Sequence, residues 1–234
     1  MTKMPGGELA TRPLHFIWIC DCSGSMNGEK IQTLNTAIKE SLKPMKDVAD
    51  ENPNATVLVR ALKFSSGAQW VNLDPTHVED FKWFDIDADG VTDMGKALSM
   101  IADELKIPPM TDRALPPVLV LLSDGQPTDD FDSGLKKLMD QAWGKKAVRI
   151  AIAIGSDADL DVLQKFIGNT EIKPLVAKNA PMLVKQIRWV STAVLQSASS
   201  PASQTKDSQT PGTNVPIPVV PADLTSPNGA DDVW

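Results

Sequence analysis

The residues best suited to chemistry form a short segment rich in hydroxyl groups, Asp21-Cys22-Ser23-Gly24-Ser25-Met26. It directly follows an apolar run, residues 14–20, so it places one carboxylate and two hydroxyls where a strand is followed by a helix. Mg²⁺ takes six oxygen ligands and usually keeps several waters, so one or two carboxylates with neutral hydroxyls suffice to hold it. The segment therefore predicts an oxygen-rich cradle for a hard divalent cation.

Two further segments favour a metal site over a simple turn. Asp, Ser and Gly are common turn residues, and Ser25 or Asn27 alone could cap the next helix. However, Thr92 lies in a segment that opens a predicted helix, Asp89-Gly90-Val91-Thr92-Asp93-Met94-Gly95-Lys96-Ala97-Leu98. Asp124 ends the apolar run Val118-Leu119-Val120-Leu121-Leu122-Ser123. All three segments thus lie at a strand end or a helix start.

In this order the segments resemble the metal-ion-dependent adhesion site (MIDAS) of a von Willebrand factor A domain, whose pattern is Asp-x-Ser-x-Ser, then a Thr, then an Asp. The resemblance implies five ligands for Mg²⁺, with Mn²⁺ or Ca²⁺ as substitutes, namely Asp21, Ser23, Ser25, Thr92 and Asp124. It also implies an open coordination position that takes an Asp or Glu carboxylate from a protein partner. The implied activity is binding, without catalysis.

Within that family, the amino-acid sequences of the three segments are similar to those of bacterial tellurium-resistance domains of the TerY type. The similar stretches are residues 21–31, 92–98 and 122–129. This resemblance implies an adaptor or scaffold in a bacterial stress-response or phosphosignalling system, with a Ser/Thr kinase and a PP2C-type phosphatase as partners. Relatives often carry a C-terminal metal-binding module that is absent here, so the resemblance gives no support for direct sensing of tellurite.

The elements that position these residues alternate along the chain. Apolar runs at residues 14–20, 55–64, 118–123 and 148–155 read as strands, and Ser65-Ser66-Gly67 as a hairpin turn. Helical spacing covers 27–48, where Pro44 is expected to kink or end the helix, and also 92–106, 130–143 and 181–195. The pattern predicts an α/β fold: a doubly wound, mostly parallel sheet between two helix layers, with one antiparallel edge strand. Ligands bind at the carboxyl ends of such strands.

The composition predicts one domain and a tail. The 234 residues, 42% of them hydrophobic, can bury one sizeable core. We expect an N-terminal extension over 1–11, the domain over 12–195, and a Pro-, Ser- and Thr-rich tail over 196–234 that cannot order itself. Alternatively, the apolar stretch 215–221 and the closing Asp231-Asp232-Val233-Trp234 could dock on a partner or a second copy, with Trp234 as the anchor.

The charge and hydropathy patterns exclude several classes of protein. A net charge of −7 without a basic face argues against nucleic-acid binding. No apolar run approaches the roughly 20 residues that span a bilayer, and the first residues lack the apolar region of a secretory signal. A cytoplasmic, bacterial protein is the expectation.

The sequence contains two other candidate metal sites. Cys20 and Cys22 could form a thiolate pair, but structural thiolate sites normally need four ligands, and neither His15 nor His77 has a ligand spacing. Asp85-Ile86-Asp87-Ala88-Asp89-Gly90 imitates the opening of an EF-hand loop, but its twelfth position is Lys96 in place of a bidentate Glu. We expect a solvated acidic loop there.

An enzyme is the strongest competing class. A dehalogenase-type phosphatase needs a second Asp two residues after the first, where this chain has Ser23. A serine hydrolase would need a late His, but the last one is His77. A magnesium-chelatase-like subunit working with an ATPase, and a metal-dependent phosphoesterase, stay open as alternatives.

Overall fold

The computed structural model describes residues 11–200 and 215–225, and its centre is one seven-stranded sheet. The strand order is β3-β2-β1-β5-β6-β7, with β4 beside β2. The strands are β1 (Arg12–Asp21), β2 (Ala55–Ser65), β3 (Gly67–Trp70), β4 (Thr76–His77), β5 (Val118–Ser123), β6 (Val148–Ile154) and β7 (Leu175–Ala177). All pairings among β1, β2, β5, β6 and β7 are parallel. The predicted fold class is therefore confirmed.

The strand order reverses at β1. This strand pairs with β2 on one side, where Cys20 faces Lys63, and with β5 on the other, where Cys20 faces Leu122. The carboxyl ends of β1 and β5 are therefore neighbours at the topological switch point, which is where ligands bind in open α/β sheets. The predicted hairpin joins β2 to the antiparallel strand β3, and the two-residue β4 adds a second antiparallel pairing with β2.

Helices cover both faces of the sheet. They are α1 (Glu29–Asp50), α2 (Met94–Glu104), α3 (Phe131–Asp140), α4 (Ala142–Lys146), α5 (Leu160–Ile167), α6 (Ala180–Trp189) and α7 (Leu195–Ser199), and a π-helical turn, Val190–Val194, joins the last two. The buried side chains of α1, α6 and α7 form one core with one sheet face, and those of α2 to α5 form a second core with the other. This is the predicted three-layer arrangement.

Alternation along β1 supplies both cores. Phe16 and Trp18 point to the α1 side, where their rings meet edge to face at 4.9 Å between centroids. Ile17 and Ile19 point to the α2 side. Burial of each such side chain contributes roughly 1.5–3 kcal/mol, so β1 is a principal source of stability at the centre of the sheet.

Three helix predictions need correction. Helix α1 lies close to the predicted 27–48, but Pro44 does not end it: the helix continues to Asp50, because the buried Met45 keeps its last turns packed on the core. The helix expected over 130–143 is two helices, since the backbone of Gln141 is extended. The helix expected to end at 195 continues as α7 to Ser199, where Asn52 Nδ2 donates to its carbonyl at 2.8 Å.

Part of the predicted tail lies against the domain. Val215 and Leu224 are buried, and the segment between them packs on the α1, α6 and α7 core. Gln186 Nε2 donates to the Leu224 carbonyl at 3.0 Å, and Ser197 Oγ donates to the carbonyl of Pro216. Residues 215–225 thus run antiparallel to α6 and α7. Trp234, the predicted anchor, lies outside the described residues.

The helices of the described residues do not include a membrane span. None between residues 11 and 200, or between 215 and 225, is long and apolar enough to cross a bilayer.

Candidate functional site

The first site loop follows β1 and begins with Asp21. This side chain is fully buried, and each of its carboxylate oxygens accepts a hydrogen bond. Oδ1 accepts the Ser23 backbone N–H at 2.8 Å, and Oδ2 accepts the Ser123 hydroxyl at 2.6 Å. Both bonds fix the orientation of the carboxylate at the edge of the sheet.

The two serines of this loop lie side by side. A short 3₁₀ turn over Gly24–Met26 brings the hydroxyl oxygens of Ser23 and Ser25 to 3.0 Å from each other. Ser23 is 1% exposed, whereas Ser25 is exposed to solvent. The pair therefore extends from the buried carboxylate of Asp21 to the surface.

The second loop carries Thr92, which is buried. Its backbone N–H donates to Thr128 Oγ1 at 3.0 Å, and the Thr128 N–H donates back to the Thr92 carbonyl at 2.9 Å. Helix α2 starts two residues later, and its first free N–H groups, of Gly95 and Lys96, donate to the carboxylate of Asp129 at 2.8 Å each. Thr92 is therefore held by the loop that follows β5.

The third loop begins with Asp124, directly after β5. Asp124 is 2% exposed, and its Oδ1 is a buried polar atom without a hydrogen-bond partner among the described residues. Its backbone carbonyl accepts the Asp159 N–H at 2.7 Å, which ties the loop to the start of α5. An unpaired buried carboxylate oxygen is costly, so this atom indicates that a ligand completes the site.

Direct contacts join the three loops. Between the first and second, Gly24 N–H donates to the Gly90 carbonyl at 3.0 Å and Asp89 N–H to the Cys22 carbonyl at 2.9 Å. The Ser123–Asp21 bond joins the first and third, and the Thr92–Thr128 pair joins the second and third. The loops that carry all five predicted ligands thus form one hydrogen-bonded unit, although neither Thr92 nor Asp124 itself has a hydrogen bond to another of the five among the described residues.

The electrostatics of the site favour a cation. The pKa of Asp21 is raised to about 6: burial is the main cause, its hydrogen bonds to Ser123 and Ser23 oppose the rise, and the negative charge of Asp124 adds to it. Neither Asp21 nor Asp124 takes part in a salt bridge within the described ranges. Two neighbouring buried carboxylates without a basic partner, next to the hydroxyl pair of Ser23 and Ser25, are a donor set that fits a hard divalent ion.

The two alternative metal sites receive no support. Within the described part of the chain, no group of three or more His, Cys, Asp or Glu is placed to hold a metal. Cys20 and Cys22 are buried and unpaired, and burial raises the pKa of both thiols, which opposes a thiolate site. In the EF-hand-like loop, Asp85 pairs with Lys39 at 2.7 Å and Asp89 accepts its neighbour's N–H, so neither faces a shared centre.

Sequence reasoning missed three residues that hold the predicted ligands, namely Ser123, Thr128 and Asp129. Ser123 orients Asp21, and the other two fix Thr92 and the first turn of α2. All three lie within the stretch 122–129 that carries the family resemblance. Their position in that motif was the available signal, but their partners are about 30 to 100 residues away in sequence, which no local pattern specifies.

Comparison with protein families gives one match. The model of the von Willebrand factor type A domain matches residues 17–183, which include all five predicted ligands. A search of curated proteins finds no match.

Several solved structures share the fold of this chain. They include a von Willebrand factor type A protein from Catenulispora acidiphila (17% identity, TM-score 0.60, 80% of this chain and 43% of that chain). The pilus adhesin SpaC from Lactobacillus rhamnosus GG, in an open conformation, matches at 16% identity and TM-score 0.61 over 79% of this chain and 30% of that chain. Proximal thread matrix protein 1 from the mussel byssus, with a zinc-occupied MIDAS motif, matches at 16% identity and TM-score 0.57 over 82% and 49%. The chain spans less than half the length of each, and at these identities the likeness is one of fold.

Proposed function

Because the chain belongs to the von Willebrand factor type A domain family, we propose that it is a Mg²⁺-dependent protein-binding module. The observation that carries the proposal is the buried, unpartnered Oδ1 of Asp124 beside the buried carboxylate of Asp21. A divalent cation would supply the missing partner for that oxygen and compensate the two negative charges.

Five residues would hold the ion: Asp21, Ser23, Ser25, Thr92 and Asp124. Oxygen-only ligands with two carboxylates suit Mg²⁺, and Mn²⁺ or Ca²⁺ could replace it. The mussel neighbour with zinc in its MIDAS motif supports a divalent ion at this place in the fold. When bound, an ion with few anionic ligands stays electrophilic and attracts a further carboxylate, which an Asp or Glu of a partner protein would provide.

The surface around the loops suits a protein partner. Val91, which precedes Thr92, is 47% exposed, and Leu160, which follows Asp159 at the Asp124 contact, is 45% exposed. Apolar side chains beside a polar centre are typical of protein interfaces, where they exclude water from the central contact. One structural neighbour of the same fold is a pilus adhesin, so this fold also occurs in a protein named for adhesion.

We assign no catalytic residue. The position that a dehalogenase-type phosphatase needs for its second Asp is Ser23, whose hydroxyl lies beside that of Ser25. A metal-dependent phosphoesterase and a magnesium-chelatase-like subunit are the competing hypotheses, and turnover of a phosphoester by the isolated chain would favour the first.

The cellular role that we propose is an adaptor in the cytoplasm of a bacterium, within a stress-response or phosphosignalling system of the tellurium-resistance kind. A Ser/Thr kinase and a PP2C-type phosphatase would be its partners. Support comes from the amino-acid sequences of the motifs at residues 21–31, 92–98 and 122–129, which are similar to those of TerY-type domains.

The test compares the wild type with the double variant Ser23→Ala/Ser25→Ala and with Ser156→Ala, an exposed serine that follows β6. Calorimetric titration with Mg²⁺ should give binding to the wild type and to Ser156→Ala, but at least tenfold weaker binding to the double variant. Immobilised protein should then capture its partner in Mg²⁺ and release it in EDTA. Equal capture in both buffers would contradict the proposal.

A further inference from the structure

A polar groove leads away from the metal loop along α1. Its second wall is formed by residues 85–88, which belong to the segment 79–90; this segment has no helix or strand and runs antiparallel to α1. Two contacts show this direction, because Lys46, near the end of α1, donates to the Glu79 carbonyl at 2.8 Å, whereas Gly24, before α1, donates to the Gly90 carbonyl at 3.0 Å.

Asn35 fixes the middle of this wall. Its Oδ1 accepts the indole N–H of Trp83 and the backbone N–H of Ile86, both at 3.0 Å, and its Nδ2 donates to the Ile86 carbonyl at 2.9 Å. These bonds are buried and saturate the Asn35 amide oxygen. The groove is therefore preformed, which lowers the entropic cost of binding.

The groove encloses about 500 Å³. Among the polar side chains that line it are those of Asn27, Gln32, Thr36, Lys39, Asp85 and Asp87. Asn27, which lines one end of the α1 wall, lies two residues after the predicted ligand Ser25, so the groove begins next to the metal loop in sequence.

Among the described residues, the charged side chains of the groove comprise one ion pair and one unpaired carboxylate. Lys39 and Asp85 neutralise each other at 2.7 Å. Asp87 is exposed and has neither an ion pair nor a hydrogen bond among the residues that the structure describes. The lining therefore keeps one uncompensated negative charge, which selects a basic group.

The dimensions fit an extended peptide. The eleven residue steps from Gly28, the N-cap of α1, to Lys39 span about 16 Å, the length of about five extended residues. Asp87 lies three residues before Gly90, the contact point of the metal loop, so about 10 Å separates them if the segment is extended.

We propose that this groove binds an extended segment of the partner in which a Lys or Arg lies two or three residues from the acidic residue at the metal site. The acidic residue anchors the segment, and the basic side chain pairs with Asp87. This inference rests on the proposed function and names the sequence feature by which that site selects its partner.

The test uses labelled nine-residue peptides with one Glu in a Gly-Ser background. One Lys is moved through the other positions, and binding to the full chain is measured by fluorescence anisotropy in Mg²⁺ and in EDTA. We expect Lys two or three residues from Glu, on one side of it, to tighten Mg²⁺-dependent binding about two- to fivefold, the effect of one exposed ion pair.

Charge reversal makes the test specific. Asp87→Lys should abolish the preference for Lys and create a similar preference for a second Glu at the same position. Asp112→Lys is the matched control, because Asp112 is also exposed and without an ion pair to any described residue, but lies before β5, at the opposite edge of the sheet. It changes the net charge equally and should leave the preference intact.

The outcomes separate the two proposals. Mg²⁺-dependent binding that is indifferent to the Lys position, or that responds equally to both charge reversals, would overturn the groove assignment and leave the proposed function standing. Absence of Mg²⁺-dependent binding for every peptide would count against the metal-dependent function itself, and the groove assignment would fall with it.

Discussion

The hydroxyl of Ser123 donates to Oδ2 of Asp21 at 2.6 Å and joins the carboxyl ends of the neighbouring strands β1 and β5. The same hydroxyl oxygen accepts the Gly125 backbone N–H at 2.8 Å, so its proton is directed at Asp21. The Ser23 N–H holds the other carboxylate oxygen. Asp21 is thus oriented before any ion binds, and its orientation depends on a residue that is not itself a predicted ligand.

Loss of this support should weaken metal binding. Ser123→Ala removes the hydrogen bond to Asp21 but leaves all five predicted ligands in place. Since residues that orient metal ligands typically affect affinity 10- to 100-fold, we expect a loss of about that size for Mg²⁺ in calorimetric titration. Ser156→Ala is the control and should bind as the wild type does. An unchanged affinity in Ser123→Ala would show that Asp21 needs no such orientation.

Without metal, the site should destabilise the protein. The pKa of Asp21 is raised from 3.8 to about 6, so the folded state binds more protons than the unfolded state between these values, and stability falls as the pH rises through this window. At pH 7 in EDTA, Asp21→Asn should therefore raise the free energy of unfolding by about 1–3 kcal/mol in urea titrations. Asp112→Asn should have no such effect. Destabilisation by Asp21→Asn would contradict this account.

Much of the site could be predicted because its signals are local. The five predicted ligands lie in short motifs, and the apolar runs of β1 and β5 end directly at Asp21 and Asp124. Burial on both faces makes such strands uniformly apolar, which is why β5, with all six residues buried, was recognisable from its sequence.

The remaining features depend on contacts between distant residues. The segment 79–90 forms no helix or strand; its buried Phe81, Trp83 and Ile86 pack on the core, and Asn35, about 50 residues earlier in the sequence, holds it through hydrogen bonds that no local pattern specifies. Likewise, the composition of 215–225 predicts a segment that cannot order itself, yet its two end residues, Val215 and Leu224, are buried against helices that were already formed by the domain. The composition of a segment shows whether it can form a core by itself, but it does not show whether the segment can pack on the apolar surface of a folded domain.

Metal affinity should fall in mild acid. Protons compete with the ion for Asp21, and with a folded-state pKa of about 6 the metal-free site is mostly ionised at pH 7.5 and mostly protonated at pH 5.5. Competition at this one group predicts about fourfold weaker Mg²⁺ binding at pH 5.5. Calorimetry at the two pH values measures the change, and proton release on binding should be detectable near pH 6. Equal affinities would mean that Asp21 keeps an ordinary pKa.

The described part of the tail should contribute to the stability of the domain. Leu224 is 5% exposed and its carbonyl accepts Gln186 Nε2, whereas Val219, in the same segment, is 91% exposed. Leu224→Ala should lower the free energy of unfolding by about 2 kcal/mol, the low end for a buried leucine, because the segment covers only one side of the core. Val219→Ala is the matched control and should change stability by less than about 0.5 kcal/mol. Urea titration of both variants distinguishes a docked segment from a free tail, for which the two substitutions would be equally silent.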